Sequence, residues 1–166
     1  MVEKMKNIKW IFFDIGSTLI DESECYWLRY CEAVLGTDIS PEEFEKKVIE
    51  YSEQNLKGDH EAVKYYGITL PPWHKEAEKP YSDAEFVLKQ LHGKGYHLGI
   101  IANQCPGTKD RLSIWGLLKY FDIVLASAEE GISKPDTEMF NRALAIAKCL
   151  PSNAVMIGDR LDNDIV

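Results

Sequence analysis

Four stretches of this sequence set polar side chains at or just beyond runs of apolar residues: FFDIGSTLID (12–21), LGIIAN (98–103), GISKPD (131–136) and MIGDRLDND (156–164). They supply Asp14, Asn103, Lys134 and Asp159, with Asp162 and Asp164 close behind. Several carboxylates, one ammonium and one amide suit phosphoryl transfer. Carboxylates and loop carbonyls are the hard oxygen ligands that magnesium prefers. A lysine and an amide can hold phosphate oxygens as charge builds in the transition state. An aspartate nucleophile would form an acyl-phosphate that water then cleaves.

The elements that must position these groups can be read from apolar patterning. Residues 9–13, 96–102, 122–126 and 154–158 are nearly continuous apolar runs, as expected of parallel strands covered on both faces. Helical stretches lie between them. Ser82 with Glu85 forms a capping box ahead of Phe86, Leu88 and Leu91, and Gly93 and Gly95 stop that helix. Thr108 is placed to cap a short helix ended by Gly116, while Phe140, Leu144 and Ala147 mark a helix that stops before Pro151. Strand–helix alternation predicts an α/β sheet with right-handed crossovers. In such sheets sites form beyond the carboxyl ends of the strands, where all four polar features sit.

Residues 21–80 break the alternation. Trp27/Leu28, Cys31 and Val34/Leu35 suggest one amphipathic face. Ser40-Pro41-Glu42-Glu43 is a capping box with proline at the first helical position, leading into Phe44, Val48 and Tyr51. Gly58, Gly67 and Pro71-Pro72 read as breakers. The expected organisation is therefore a core of residues 1–20 and 81–166 with a small helical insert over 21–80. After the fourth strand only a polar loop remains before Val166, so the core is expected to lack its last helix and strand.

Composition narrows the function classes. The 166 residues predict about one domain. Acidic residues number 27 against 19 basic, a net charge of −8, the opposite of a protein that binds nucleic acid by neutralising phosphates. Residues 21–80 carry 14 acidic and 7 basic side chains, so nearly all the excess sits in the insert. The early apolar run from Trp10 ends at Asp14, too short for a signal peptide or membrane span. Cys25, Cys31, Cys105 and Cys149 show neither a Cys-x-x-Cys pair nor zinc spacing, which favours reduced thiols and a cytoplasmic setting. Asp162 reads as solvent-facing, His74, His92 and His97 have no convergent partners, and Tyr26, Trp27 and Tyr30 read as helix packing.

In this order the four segments resemble the four motifs of the haloacid dehalogenase-like hydrolases, and the resemblance covers the whole chain. It implies a Rossmann-like core with strand order near 3-2-1-4 and a helical cap inserted after the first motif. It implies that Asp14 is the nucleophile and, with the backbone carbonyl of Gly16 and with Asp159, binds Mg2+. It further implies that Asp164 supports the site, that Lys134 steadies nucleophile and phosphate, and that the substrate is a small phosphorylated metabolite.

The sequence departs from that family pattern twice. The second aspartate, a general acid and base in the family's phosphatases, is replaced by Gly16, and the phosphate-binding Ser or Thr of the second motif by Ala102, leaving Asn103 for that task. Losing a general acid typically costs about 10²–10⁴-fold in rate, so a slow phosphatase is expected. The alternatives are a non-catalytic metal- and phosphate-binding member, or one that cleaves phosphonates or halides. The halide branch needs no magnesium and lacks the acidic fourth motif present here. Asp-Ile-Gly-Ser-Thr also resembles the first phosphate loop of actin-like ATPases, but the chain is too short for their two lobes. Oligomeric state is not legible.

Overall fold

A computed structural model of the protein describes residues 7–164. In chain order its strands are β1 (Trp10–Phe13), β2 (Ile20–Asp21), β3 (Lys79–Pro80), β4 (His97–Ala102), β5 (Ile123–Ala126) and β6 (Ala154–Ile157). Four of them form a parallel sheet in the order β5-β4-β1-β6, which is 3-2-1-4 when those four alone are counted. β2 and β3 form a two-residue antiparallel pair, too short to leave a periodic signal in the sequence.

The chain divides into two compact units, one running up to Asp21 and again from Lys79, the other comprising Glu22–Glu78. The first contains the sheet and buries apolar side chains on both faces. On one face Ile11, Phe13, Leu98 and Ile100 pack with Leu88 of the next helix and with Leu112; on the other, Trp10, Phe12, Ile101 and Leu125 pack with Met139 and Ala143. The expectation of two covered faces holds for β1, β4 and most of β5 and fails for β6. Ala154 and Met156 turn toward the Met139 cluster, but by strand alternation Val155 and Ile157 point the other way and are each 40% exposed.

The second unit holds α1 (Ser23–Ala33), α2 (Pro41–Ser52) and α3 (Gly58–Tyr66) around Tyr30, Ala33, Val34, Phe44, Val48, Ala62 and Val63. Ser40 caps α2 as its sequence predicts, accepting the Glu43 N–H at 3.1 Å. The face expected for α1 is shifted. Trp27 and Leu28 are exposed and Cys25, Tyr30 and Ala33 are buried. The helix ends at Ala33, so its periodicity never reaches Leu35, which is 83% exposed. Gly58 opens α3 instead of breaking structure, because a side chain there would run into the Val48 carbonyl. His74, expected to lack partners, lies between Glu32 (2.9 Å) and Glu76 (3.1 Å).

In the first unit α4 (Ala84–Gly93), α5 (Thr108–Ile114), α6 (Ser127–Glu130), α7 (Thr137–Ala147) and α8 (Leu161–Asp164) connect or follow the strands. Two expected caps are not used. Asp83, not Ser82, precedes α4, and Glu85 turns to Lys119 (2.8 Å) and the Tyr120 hydroxyl (3.1 Å). Gly107 caps α5 in a left-handed conformation, while Thr108 is its first residue and donates its hydroxyl to the Cys105 carbonyl. α7 starts where Asp136 accepts the Glu138 N–H at 2.9 Å and ends before Pro151 as expected. No helix among the described residues is long and apolar enough to cross a membrane.

Candidate active site

The register of the sheet brings the carboxyl ends of β1 and β6 level. Phe13 pairs with Ile157, and the next residue, Asp14, donates its N–H to the Ile157 carbonyl at 2.8 Å. A tight turn follows. The N–H groups of Leu19 and Ile20 reach the Ile15 carbonyl (2.9 and 3.0 Å), and Ser17 N–H reaches the Ile20 carbonyl (2.9 Å). These bonds hold Ser17 at φ 52°, a left-handed conformation that costs a non-glycine residue about 1 kcal/mol or more. Asp14 is thereby fixed on a rigid corner at the end of the central strand.

Lys134 comes from the loop between α6 and α7 and is almost wholly enclosed, with its side chain 1% exposed. Its Nζ donates to Asp14 Oδ1 at 3.0 Å and makes a very short bond to Asp164 Oδ1. An ammonium so deep is tolerated only where carboxylates meet it. Asp164, 5% exposed, also accepts the Arg160 N–H at 3.1 Å through Oδ2. Its carboxylate packs against the Cα of Gly158, where a methyl group would collide with it. Here lies the local reason for glycine before Asp159: only a residue without Cβ lets the Asp164 side chain lie across the end of β6.

Asp159 is exposed, and carboxylate oxygens of Asp14, Asp159 and Asp164 all lie within 4.8 Å of one another. Burial pushes the Asp14 carboxyl above the ordinary aspartate range, with Lys134 pulling it back down. Partial desolvation of its carboxyl also raises Asp159, and the nearby Asp164 charge adds to the effect. A cation among these groups would relieve both. Lys134 and the Arg160 N–H engage both oxygens of Asp164, whereas Asp159 and the second oxygen of Asp14 remain as hard donors. These carboxylate oxygens are hard donors of the type magnesium takes.

Asn103 follows β4 at the exposed rim. Its Nδ2 donates to the Lys134 carbonyl at 2.9 Å and its Oδ1 accepts the Lys134 N–H at 2.8 Å. The sequence does not announce this clamp across 31 residues. Nor does it announce the support behind it: Gln104 N–H donates to Ser127 Oγ (3.1 Å) and Gly107 N–H to Glu129 (3.0 Å), pinning the 103–107 loop to α6. Asp162 stands apart from this cluster and pairs with Arg160 at 2.7 Å on the surface. Asp14, Lys134, Asp159 and Asp164 are thus gathered at one point, with Asn103 gripping the lysine from outside.

Comparison with known proteins gives a consistent picture. The model of the haloacid dehalogenase-like hydrolase family matches residues 11–166. A glyceraldehyde 3-phosphate phosphatase of Methanothermobacter thermautotrophicus is 27% identical, over 96% of this chain and 80% of that protein. The pyrophosphatase PpaX of Bacillus velezensis is also 27% identical, over 93% of this chain and 76% of its own. Among solved structures, a phosphatase of the same family from Thermococcus onnurineus superposes with a TM-score of 0.64 at 25% identity, covering 95% of this chain and 80% of that one.

Proposed function

The chain belongs to the haloacid dehalogenase-like hydrolases, and on that premise we propose that it is a magnesium-dependent phosphatase of small phosphorylated metabolites, working through an aspartyl-phosphate on Asp14. The observation that carries this reading is the Lys134 ammonium enclosed between Asp14 and Asp164, with Asp159 alongside. The relatives named as phosphatases support a small phosphorylated substrate.

Asp14, the Gly16 carbonyl and Asp159 would hold magnesium, whose positive charge would offset repulsion between a carboxylate nucleophile and an anionic phosphate. Lys134 holds one Asp14 oxygen in place and favours the ionised form of that carboxylate against its burial. Asp164 keeps Lys134 oriented. Asn103 fixes the lysine backbone and has a second amide N–H to offer a phosphate oxygen. Attack of Asp14 on phosphorus displaces the leaving oxygen in line, and water then cleaves the acyl-phosphate. With Gly16 and Ala102 in place of the usual acid and hydroxyl, turnover is slow.

The Glu22–Glu78 unit is assigned the role of a helical cap, and its negative charge disfavours substrates carrying charge beyond the reacting phosphate. The four free thiols suit a reducing, cytoplasmic setting. The test is magnesium-dependent release of phosphate from an aryl phosphate. Loss of the activity in Asp14→Asn and on chelation supports the proposal; equal rates in the two proteins refute it. Gly16 and Ala102 also favour a second reading, a metal- and phosphate-binding member without turnover, for which phosphate would bind by calorimetry while the release assay stays blank.

A further inference from the structure

The groups around Asp14 are arranged on one side of the chemistry. In an in-line displacement the attacking and leaving oxygens stand on opposite sides of phosphorus. Lys134 Nζ touches Asp14 itself, so it lies on the attacking side, and it is committed to Asp14 and Asp164. Asp159 and Asp164 belong to the same carboxylate cluster as the nucleophile. Gly16, two residues on from Asp14, has no side chain. Ala102 offers a methyl group, Asn103 an amide already clasping the Lys134 peptide, and Ser17 and Thr18 hydroxyls no more acidic than an alcohol. Within this unit, none of these groups can hand a proton to the leaving oxygen.

None of these residues, then, protonates the leaving group. We propose that this chain selects its substrate by leaving group: it takes phosphoryl groups from acyl phosphates and comparably activated donors, and leaves simple alkyl phosphates almost untouched. The inference rests on Asp14 being the nucleophile, as proposed above. In the first step an Asp14 oxygen forms a bond to phosphorus, and the bond from phosphorus to the acyl oxygen breaks. The electron pair leaves with the carboxylate, and no proton moves. An alkyl ester would have to expel an alkoxide by the same route. Carboxylic acids and phenols have pKa values of about 4 and 10, whereas an alcohol lies near water at about 15.7. In the second step water forms the new bond to phosphorus, the electron pair of the broken bond returns to Asp14, and the proton passes to solvent. None of these side chains assists that step either, so the aspartyl-phosphate accumulates.

The whole chain, with magnesium, is assayed on aryl phosphates of graded phenol acidity, on acetyl phosphate and on glycerol phosphate, and phosphate bound to Asp14 is measured by mass spectrometry. The expected kcat/KM falls by about tenfold per unit of leaving-group pKa, the limit in which the leaving oxygen carries full charge. Acetyl phosphate labels most of the protein at Asp14, while glycerol phosphate labels none. Gly16→Asp, by restoring an acid, flattens the dependence and shortens the life of the phosphoprotein. An Asp14-dependent turnover of glycerol phosphate within tenfold of the aryl series overturns this inference and leaves the phosphatase reading intact. An unchanged slope in folded Gly16→Asp also overturns it. Absence of Asp14-dependent transfer from every donor overturns both.

Discussion

Asn103 and Lys134 grip each other through two hydrogen bonds, Nδ2 to the lysine carbonyl at 2.9 Å and the lysine N–H to Oδ1 at 2.8 Å. The clamp ties the loop after β4 to the loop that carries the buried ammonium, so the lysine's position is set from its backbone as well as from its charge. Two such bonds contribute about 2 kcal/mol together. Asn103→Ala is expected to lower kcat by roughly 10–30-fold in a protein that remains folded. Steady-state kinetics beside a circular dichroism melt checks this; an unchanged kcat would show the clamp to be idle.

Lys134 is expected to matter to stability as much as to activity. Replacing it by Met leaves Asp14 and Asp164 buried around no countercharge. Removing one partner of a buried pair costs about 3–5 kcal/mol. Urea unfolding of Lys134→Met at neutral pH should show a loss of that size, with part of it recovered in the double variant Lys134→Met/Asp164→Asn.

Gly158→Ala should act through Asp164, whose carboxylate occupies the space of the new methyl. Forcing the two apart costs about 1–3 kcal/mol and moves Asp164 away from Lys134, so kcat falls too. Gly93, in α4, is the control: a Cβ there meets nothing. Gly93→Ala should raise stability by about 0.4–1 kcal/mol through the unfolded chain and leave kcat alone. A melt and an assay on both variants suffice, and equal behaviour would contradict the assignment.

His74 should titrate above the ordinary histidine range, because its ring is hydrogen-bonded by Glu76 and, on its other nitrogen, by Glu32. A raised folded value means that the protonated ring stabilises the Glu22–Glu78 unit. That contribution is complete below the unfolded pKa of about 6.5 and is lost as pH rises through the folded value. NMR titration of the imidazole should give a pKa above 6.5, lowered in Glu76→Gln; a value below 6.5 would contradict the contact.

The four sheet strands were legible because each is a short, nearly continuous apolar run, and the order of the polar features along the chain put them at one sheet edge. Ser40 announced its cap correctly because Pro41 and Glu43 stand with it. Ser82 and Glu85 show the same pattern and fail, since Lys119 and Tyr120, more than thirty residues away, capture the glutamate. The α1 face departs from the expected one because the helix ends at Ala33, before Leu35. The Asn103 clamp, the close approach of Asp164 to Gly158 and the left-handed Ser17 depend on contacts that only the assembled sheet creates. Local sequence carries no trace of such long-range pairing.

The ends of β1 and β6 are proposed to form a metal-assisted phosphoryl site on Asp14. This is tested most directly by a crystal structure determined with magnesium and a phosphate mimic. The metal is expected on Asp14, the Gly16 carbonyl and Asp159, and the mimic on the second Asp14 oxygen beside Lys134. An empty cleft at millimolar magnesium, or a mimic bound elsewhere, would contradict it.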